Sequence, residues 1–463
     1  MKLNNLSFLF ILLHSCIGSK FTTFDSGIQT PISDLPNGLT ITPAVGKNAL
    51  KLTVNGSTCS ADSYINKPCV EVTLCDSATG TKCEKITDIL LDTGSFGLRV
   101  FKDAFTQLEP YDTSKVAKDF EFFSKSNSGV NGKLVQCARF GDGTADWGPV
   151  MKAQIILGGE DPVLSPIQVI DRDFANYTGK CTNTADGSAP DENAASAGFN
   201  GILGVGLFEE DCGSVCEVFN TTMYFNCDPA DTSVPPQASP CVTTKALVAT
   251  EQLKNPVSLM NVDNNGVIVQ LPIVPQTGSS SVEGNLILGI DTRTSASVGF
   301  VDNSAAAGIR TFVAAEENPG DNFAYFKTVY RGTTYSTSFL DTGSNGLYFD
   351  APSSSVIPDC SSLMSAPWFF CPESELSLQA TTKSADGIVS ALINFKIIGL
   401  QDLFDPNKVF YNFGGDAGSE DGNSNPDPTI GFDWGLPFFL GRNVYNGINA
   451  KTSTLGTGPY WAY

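Results

Sequence analysis

Twice in this chain two apolar residues run into Asp-Thr-Gly-Ser and then, one residue later, into Gly-Leu. The copies are Leu90-Leu91-Asp92-Thr93-Gly94-Ser95-Phe96-Gly97-Leu98 and Phe339-Leu340-Asp341-Thr342-Gly343-Ser344-Asn345-Gly346-Leu347. A single Asp-Thr-Gly is expected roughly 0.1 times by chance in a chain of this length, and alone reads as a turn that caps a strand. Two copies in one frame are not an accident of composition. A second pair of phrases follows in the same order, Asn200-Gly-Ile-Leu-Gly-Val-Gly-Leu207 after the first and Leu436-Pro-Phe-Phe-Leu-Gly441 after the second. The order A, B, A′, B′ predicts two related β lobes, residues 46–295 and 296–463, and 463 residues suffice for both.

The repeat carries chemistry because an aspartate at the end of an apolar strand is held rather than merely exposed. The glycine lets the turn bring backbone N–H groups to the carboxylate, and the serine hydroxyl reaches its outer oxygen. If two lobes bring Asp92 and Asp341 together, both cannot ionise cheaply and the pair shares one proton. One carboxyl then serves as base and the other as acid, with Thr93, Gly94, Ser95, Thr342, Gly343 and Ser344 in support. Such a dyad activates water without histidine, metal or a covalent intermediate. That suits a chain whose only histidine, His14, lies in the N-terminal apolar stretch. Without it, Ser/His and Cys/His nucleophile pairs and histidine metal sites are excluded from the remainder. No cofactor and no metal are expected.

The rest of the composition narrows the partners. With 28 Lys+Arg against 49 Asp+Glu the net charge is −21, which argues against nucleic acid and against anionic membranes. Short runs such as Leu50–Val54, Ile155–Leu157, Gly266–Val274, Asn285–Ile290 and Leu392–Ile398, separated by Gly, Asn, Asp and Ser, predict β-structure throughout. Residues 1–19 read as a signal peptide and 20–45 as a polar leader, and no later segment is apolar enough to span a bilayer. Leu13-His14-Ser15-Cys16 also loosely resembles a bacterial lipobox, which would make Cys16 a lipid anchor. Twelve cysteines follow Cys16, an even number that reads as disulfides in an exported chain, whether secreted, periplasmic or at the cell surface. Cys360 stands 119 positions beyond Cys241, and it and Cys371 are expected to bond to each other. The acidic stretch Gly414–Asp427 reads as a solvated loop rather than a calcium site.

The duplicated Asp-Thr-Gly-Ser with its apolar-apolar-Gly phrases resembles the pepsin-type aspartic peptidases. That resemblance implies a mainly β, bilobal fold with the active-site cleft between two related lobes, and hydrolysis of peptide or protein substrates. Cys137-Ala-Arg-Phe-Gly-Asp-Gly-Thr144 falls where that family has its flap, which assigns Phe140, Gly141, Asp142 and Gly143 to a hairpin over the cleft. Gly284–Asp291 resembles the strand phrase that opens the family's second lobe, and Gly201–Gly204 and Phe439–Gly441 resemble the segments that cross beneath each catalytic loop. Phe140 stands where the family has a tyrosine, and Arg99 where it has a tryptophan; Trp147 offers itself as a replacement shield or as a core residue. A closer likeness is to an uncharacterised family of exported bacterial proteins that share Gly97-Leu98-Arg99 and the ending Phe432-Asp-Trp-Gly-Leu-Pro-Phe-Phe439. Two functions are compatible with these features, an aspartic endopeptidase and a non-catalytic protein that uses the cleft to bind peptide or cell-wall ligands.

Overall fold

The strand that leads to the first motif changes character along its length. In Cys83–Asp92 the residues alternate exposed and buried as far as Thr87, and from Asp88 to Asp92 every one is buried. The alternating half lies on a sheet with one wet face, whereas the second half is covered on both faces. Asp92 is therefore delivered into the interior by a strand that could not stop earlier without exposing Ile89, Leu90 and Leu91. The computed structural model describes residues 41–60, 64–127, 129–182, 187–229, 240–316, 322–350, 357–360, 366–403, 408–417 and 431–463. The signal peptide, Cys16, most of the leader and most of the acidic Gly414–Asp427 stretch lie outside them.

The chain is mainly β. Among the described residues the strands form one system of 17, one of ten and a two-stranded ribbon. The five runs singled out by periodicity overlap the strands Ala49–Val54, Ala145–Ile156, Gly266–Gln270, Val282–Leu288 and Ser390–Ile397, and four of them run past the strand's end.

Each motif sits in the same local topology. Gly201–Val205 inserts between the strand before the first motif and the strand after it, parallel to Cys83–Asp92 (Leu203 opposite Leu91, Gly204 opposite Asp92) and antiparallel to Phe96–Phe101. In the ten-stranded system Asp433–Trp434 does the same, parallel to Thr333–Leu340 and antiparallel to Leu347–Phe349. Two sequence readings are corrected here. The crossing segment of the second copy is Asp433-Trp434-Gly435, and Phe439–Gly441 lies downstream, where Leu436–Phe439 forms a buried helical turn. The Gly284–Asp291 phrase does not open the second sheet; its strand pairs with Ala49–Val54 and Gly266–Gln270 in the larger one.

The sheets do not divide at residue 295. Thr311–Val313, Asn443–Gly447 and Tyr460–Ala462 all join the 17-stranded system, with Asn443–Gly447 along Gly266–Gln270 and Tyr460–Ala462 beside it. The returning tail covers an edge that Gly266–Gln270 would otherwise present to other chains.

Six disulfides pair all twelve cysteines after Cys16: 59–69, 75–83, 137–181, 212–216, 227–241 and 360–371. The longest separation is 44 residues, so each bond staples one local feature rather than joining the two sheet systems. This content is consistent with an exported protein, since disulfides persist in oxidising surroundings. No helix among the described residues is long and apolar enough to cross a membrane. Peptide mapping without reduction is expected to recover Cys360–Cys371 as a closed pair, and a link from either residue to an earlier cysteine would contradict the fold.

Candidate active site

The two motif loops meet and hold each other through their threonines. Thr93 N–H donates to Thr342 Oγ1 at 3.1 Å, and Thr342 N–H donates to Thr93 Oγ1 at 2.9 Å. Each hydroxyl then donates across to the strand that carries the other motif, Thr93 to the Leu340 carbonyl at 3.2 Å and Thr342 to the Leu91 carbonyl at 2.7 Å. Both threonines are buried, so these four bonds satisfy groups that water cannot reach. An alanine at either position would orphan two of them.

The aspartates are seated by the residues that follow. Asp92 Oδ1 accepts from Gly94 N–H at 2.7 Å and Ser95 N–H at 3.1 Å, and its Oδ2 accepts from the Ser95 hydroxyl. Asp341 Oδ1 accepts from Gly343 N–H at 2.7 Å and its Oδ2 from the Ser344 hydroxyl at 2.9 Å. Glycine is required in both loops for close approach, because a Cβ on Gly94 would lie 2.7 Å from Asp341 Cγ and one on Gly343 2.9 Å from Asp92 Cγ. The two loops bring the carboxyl groups close together, and the Asp341 carboxyl is held well above its ordinary range by burial and then by the Asp92 charge. This pair can take a proton from a water and give one to a leaving group within one site.

The hairpin assigned to residues 140–143 is present. Val130–Arg139 and Ala145–Ile156 pair up to Arg139 opposite Ala145, and Phe140 closes the turn by donating to and accepting from the backbone of Thr144 and Gly143, both at 3.0 Å. Asp142 Oδ1 accepts from Thr144 N–H, and Gly143 has φ +86°, a conformation that suits glycine. Asp142 lies near enough to Tyr348, on the strand after the second motif, to help raise its phenol, after burial, Asp433 and Tyr64. Half-buried Phe140 has its ring centroid 6.0 Å from the Arg99 guanidinium carbon, within reach of a cation–π contact. Trp147 is a core residue: it is fully buried, donates to the Phe174 carbonyl at 2.8 Å and packs on Phe225. Cys360 and Cys371 form a separate cluster with Phe369 and Leu400.

Sequence reasoning missed the polar network beneath the hairpin. Arg99 is 2% exposed; it donates to the Phe96 carbonyl at 2.9 Å and pairs with Asp211 at 3.5 Å. Asp211 also accepts from Gln136 and from the Tyr224 hydroxyl. A charge in a strand otherwise buried from Phe96 to Phe101 was the available signal, since a buried arginine needs a buried acid. Missed as well was Asp433, in the second crossing strand.

Among the described residues one close group has metal-ligand types, Cys59, Cys69 and Asp88. Its sulfurs are joined in a disulfide and its carboxylate pairs with Lys67 at 2.9 Å, so it offers no thiolate.

Residues 44–463 match the family described as Protein of unknown function (DUF3443), and the chain belongs to that family. No curated protein matches it.

Burial gives this chain an acid-favouring stability. Asp211 is pushed up to about 6 by burial, against the pull of Arg99; Asp191 is pushed to about 6 by burial and the Asp142 charge; Asp433 is pushed to about 8, chiefly by burial. The folded chain binds these protons more tightly than the unfolded chain, so stability falls as pH rises from about 4 to about 8. On the other side, Asp76 is held low by the Lys82 and Thr79 backbone and Asp302 by Ser304, and their contributions are lost as pH falls below about 4. Thermal unfolding at constant ionic strength is expected to peak near about pH 4 to 5, and a maximum at pH 7 or above, about three units higher, would contradict this. Arg99→Leu is expected to cost about 3 kcal/mol at alkaline pH, where Asp211 is left buried and charged. In denaturant titrations the loss should shrink as pH falls toward about 6, because without Arg99 the buried Asp211 takes up its proton at higher pH than in the wild type.

Proposed function

We propose that this chain is an exported aspartic endopeptidase of the pepsin-like type, with Asp92 and Asp341 as a proton-sharing dyad and an activated water as nucleophile. The observation that carries the reading is the contact between the two carboxyl groups, each seated by its own Gly and Ser and fixed by the crossed threonine hydrogen bonds. The duplicated crossing strands support a two-lobed arrangement with the dyad at the seam. The paired cysteines support an exported location. In this mechanism the ionised carboxyl takes a proton from the water as it attacks the peptide carbonyl, and the protonated carboxyl donates to the carbonyl oxygen. The tetrahedral intermediate collapses as the dyad protonates the leaving nitrogen and takes back the proton of a gem-diol hydroxyl, which leaves the dyad with its single shared proton. The hairpin edge and the cleft offer backbone groups to an extended substrate, which would pair as an added strand.

The second reading, a binding protein without turnover, is favoured by Phe140, which has no hydroxyl to donate into the cleft and faces Arg99 instead. One assay separates them. The mature protein is expected to cleave unfolded protein substrates at mildly acidic pH, to be blocked by a statine-type transition-state mimic, and to lose at least about 10²-fold in Asp92→Asn or Asp341→Asn while remaining folded. Absence of cleavage from about pH 3 to 7, a window that brackets a shared-proton pair, together with peptide binding in the cleft, would establish the second reading instead.

A further inference from the structure

We propose that the apolar cavity beside the second crossing strand is a binding site for a short aliphatic carboxylate, with Arg442 as the residue that holds its anionic head. The inference uses none of the dyad residues and does not rest on the peptidase reading.

The cavity has a volume of about 80 Å³, and its walls come from three places. Ile393 and Phe395 belong to Ser390–Ile397, the last strand of the ten-stranded system, and residues two apart on a strand share a face. Leu347 and Trp434 belong to the strand after the second motif and to its crossing strand, where they stand opposite each other. Phe438 and Leu440 belong to the helical turn Leu436–Phe439 and the residue after it. Trp434 packs edge-on against Phe395 at 5.3 Å and tilted against Phe438 at 5.3 Å. Rings fixed by such contacts resist collapse into the space beside them. Ile273, which also lines the cavity, is 45% exposed, so the mouth lies on its side.

One charge lines this space. Arg442 follows the helical turn, and its backbone N–H donates to the Phe439 carbonyl at 3.0 Å. Its guanidinium carbon lies 4.3 Å from the centre of the Phe438 ring, and one terminal nitrogen donates to the Phe438 carbonyl. Among the described residues the guanidinium has no other acceptor and forms no ion pair. The chain is not short of acids: it has 49 Asp+Glu against 28 Lys+Arg, and its buried cations Lys67, Arg99 and Lys254 each pair with one. Glu375, the acid beside Tyr411 of the cavity wall, is taken by Lys396 at 2.6 Å and by Asn412 at 2.7 Å. Arg442 is thus a partly buried cation on an apolar cavity, and the described residues supply no counter-charge.

The chemistry of the site selects its ligand. The planar fork of a guanidinium is matched by a carboxylate, which accepts two parallel N–H bonds and brings the single negative charge that one guanidinium answers. A phosphate dianion would bring a second charge with nothing to meet it. The walls call for an apolar tail, because a polar one would give up its water against Ile393, Phe395 and Leu347 and gain no partner. A cavity of roughly 150 Å³ admits benzene, so about half that volume holds a tail of about four carbons. The ligand is therefore a straight-chain acid close to pentanoate in size. Its tail would touch Trp434, whose carbonyl accepts from the Asp341 N–H at 3.2 Å, so an occupant braces the strand that holds the second motif.

Calorimetric titration of the mature chain with sodium pentanoate tests the site, with acetate, pentan-1-ol and pentylamine as comparisons. Pentanoate is expected to bind once per chain. Acetate, which lacks the tail, and the alcohol and amine, which lack the anion, are expected to bind at least about tenfold more weakly. Arg442→Met is expected to weaken pentanoate by at least about tenfold, the scale of a bidentate charged pair. Ile393→Phe fills the tail space with the charge intact and is expected to weaken it as well, and circular dichroism checks that both variants are folded. Absence of pentanoate binding to the wild type, equal binding of pentanoate and pentan-1-ol, or undiminished binding to folded Arg442→Met would each overturn the proposal. Should a variant fail to fold, the comparison of ligands on the wild type still decides. Asp341→Asn is expected to bind pentanoate as the wild type does, so loss of hydrolysis and loss of this site are told apart.

Discussion

The crossed hydrogen bonds between Thr93 and Thr342 are what the rest of the centre depends on, because they join two loops that belong to different sheet systems. None of the six disulfides does this work, since each closes a local stretch. Two neighbouring carboxyl groups repel each other whenever both are charged, and nothing in either loop alone would keep them together. Four buried hydrogen bonds, each to a group with no access to water, make separation of the loops more costly than their repulsion. A second tie lies nearby: buried Asn66 donates to the Asn345 and Phe410 carbonyls at 2.8 and 2.9 Å and accepts from Phe410 N–H at 2.7 Å, so a residue of the first half fastens two segments of the second.

The duplication was legible because both copies keep the residues whose chemistry is constrained. Asp, Thr, Gly and Ser each have a separate task here, in the carboxyl pair, the crossed bonds, the close approach and the outer-oxygen contact, and no other residue does all four. The strands were legible for the ordinary reason that half-buried strands alternate. What failed was the match of the second crossing segment. An apolar-apolar-Gly pattern selects Phe439-Leu440-Gly441 over Asp433-Trp434-Gly435, because an acid is not expected in a short strand flanked by core aromatics. Seven residues separate each motif aspartate from Arg99 and Tyr348, which occupy equivalent register positions opposite Ile202 and Asp433. That equivalence is visible only once the crossing strands are in place. The division at residue 295 failed differently, because strands 150 residues later return to close the larger sheet and no local signal marks their partner.

The polar groups that sequence reasoning passed over share one trait: each is a charge placed where its duplicated or flanking positions are apolar. Arg99 lies in a wholly buried strand and is answered by Asp211; Asp433 stands at the register equivalent of Ile202 and forms no ion pair among the described residues. The difference decides their states. An acid with a guanidinium beside it is held down by that charge, and Asp211 is raised only to about 6. Where no such charge offsets burial, the carboxyl keeps its proton to higher pH, and Asp433 is raised to about 8 by burial with the Asp92 charge adding to it.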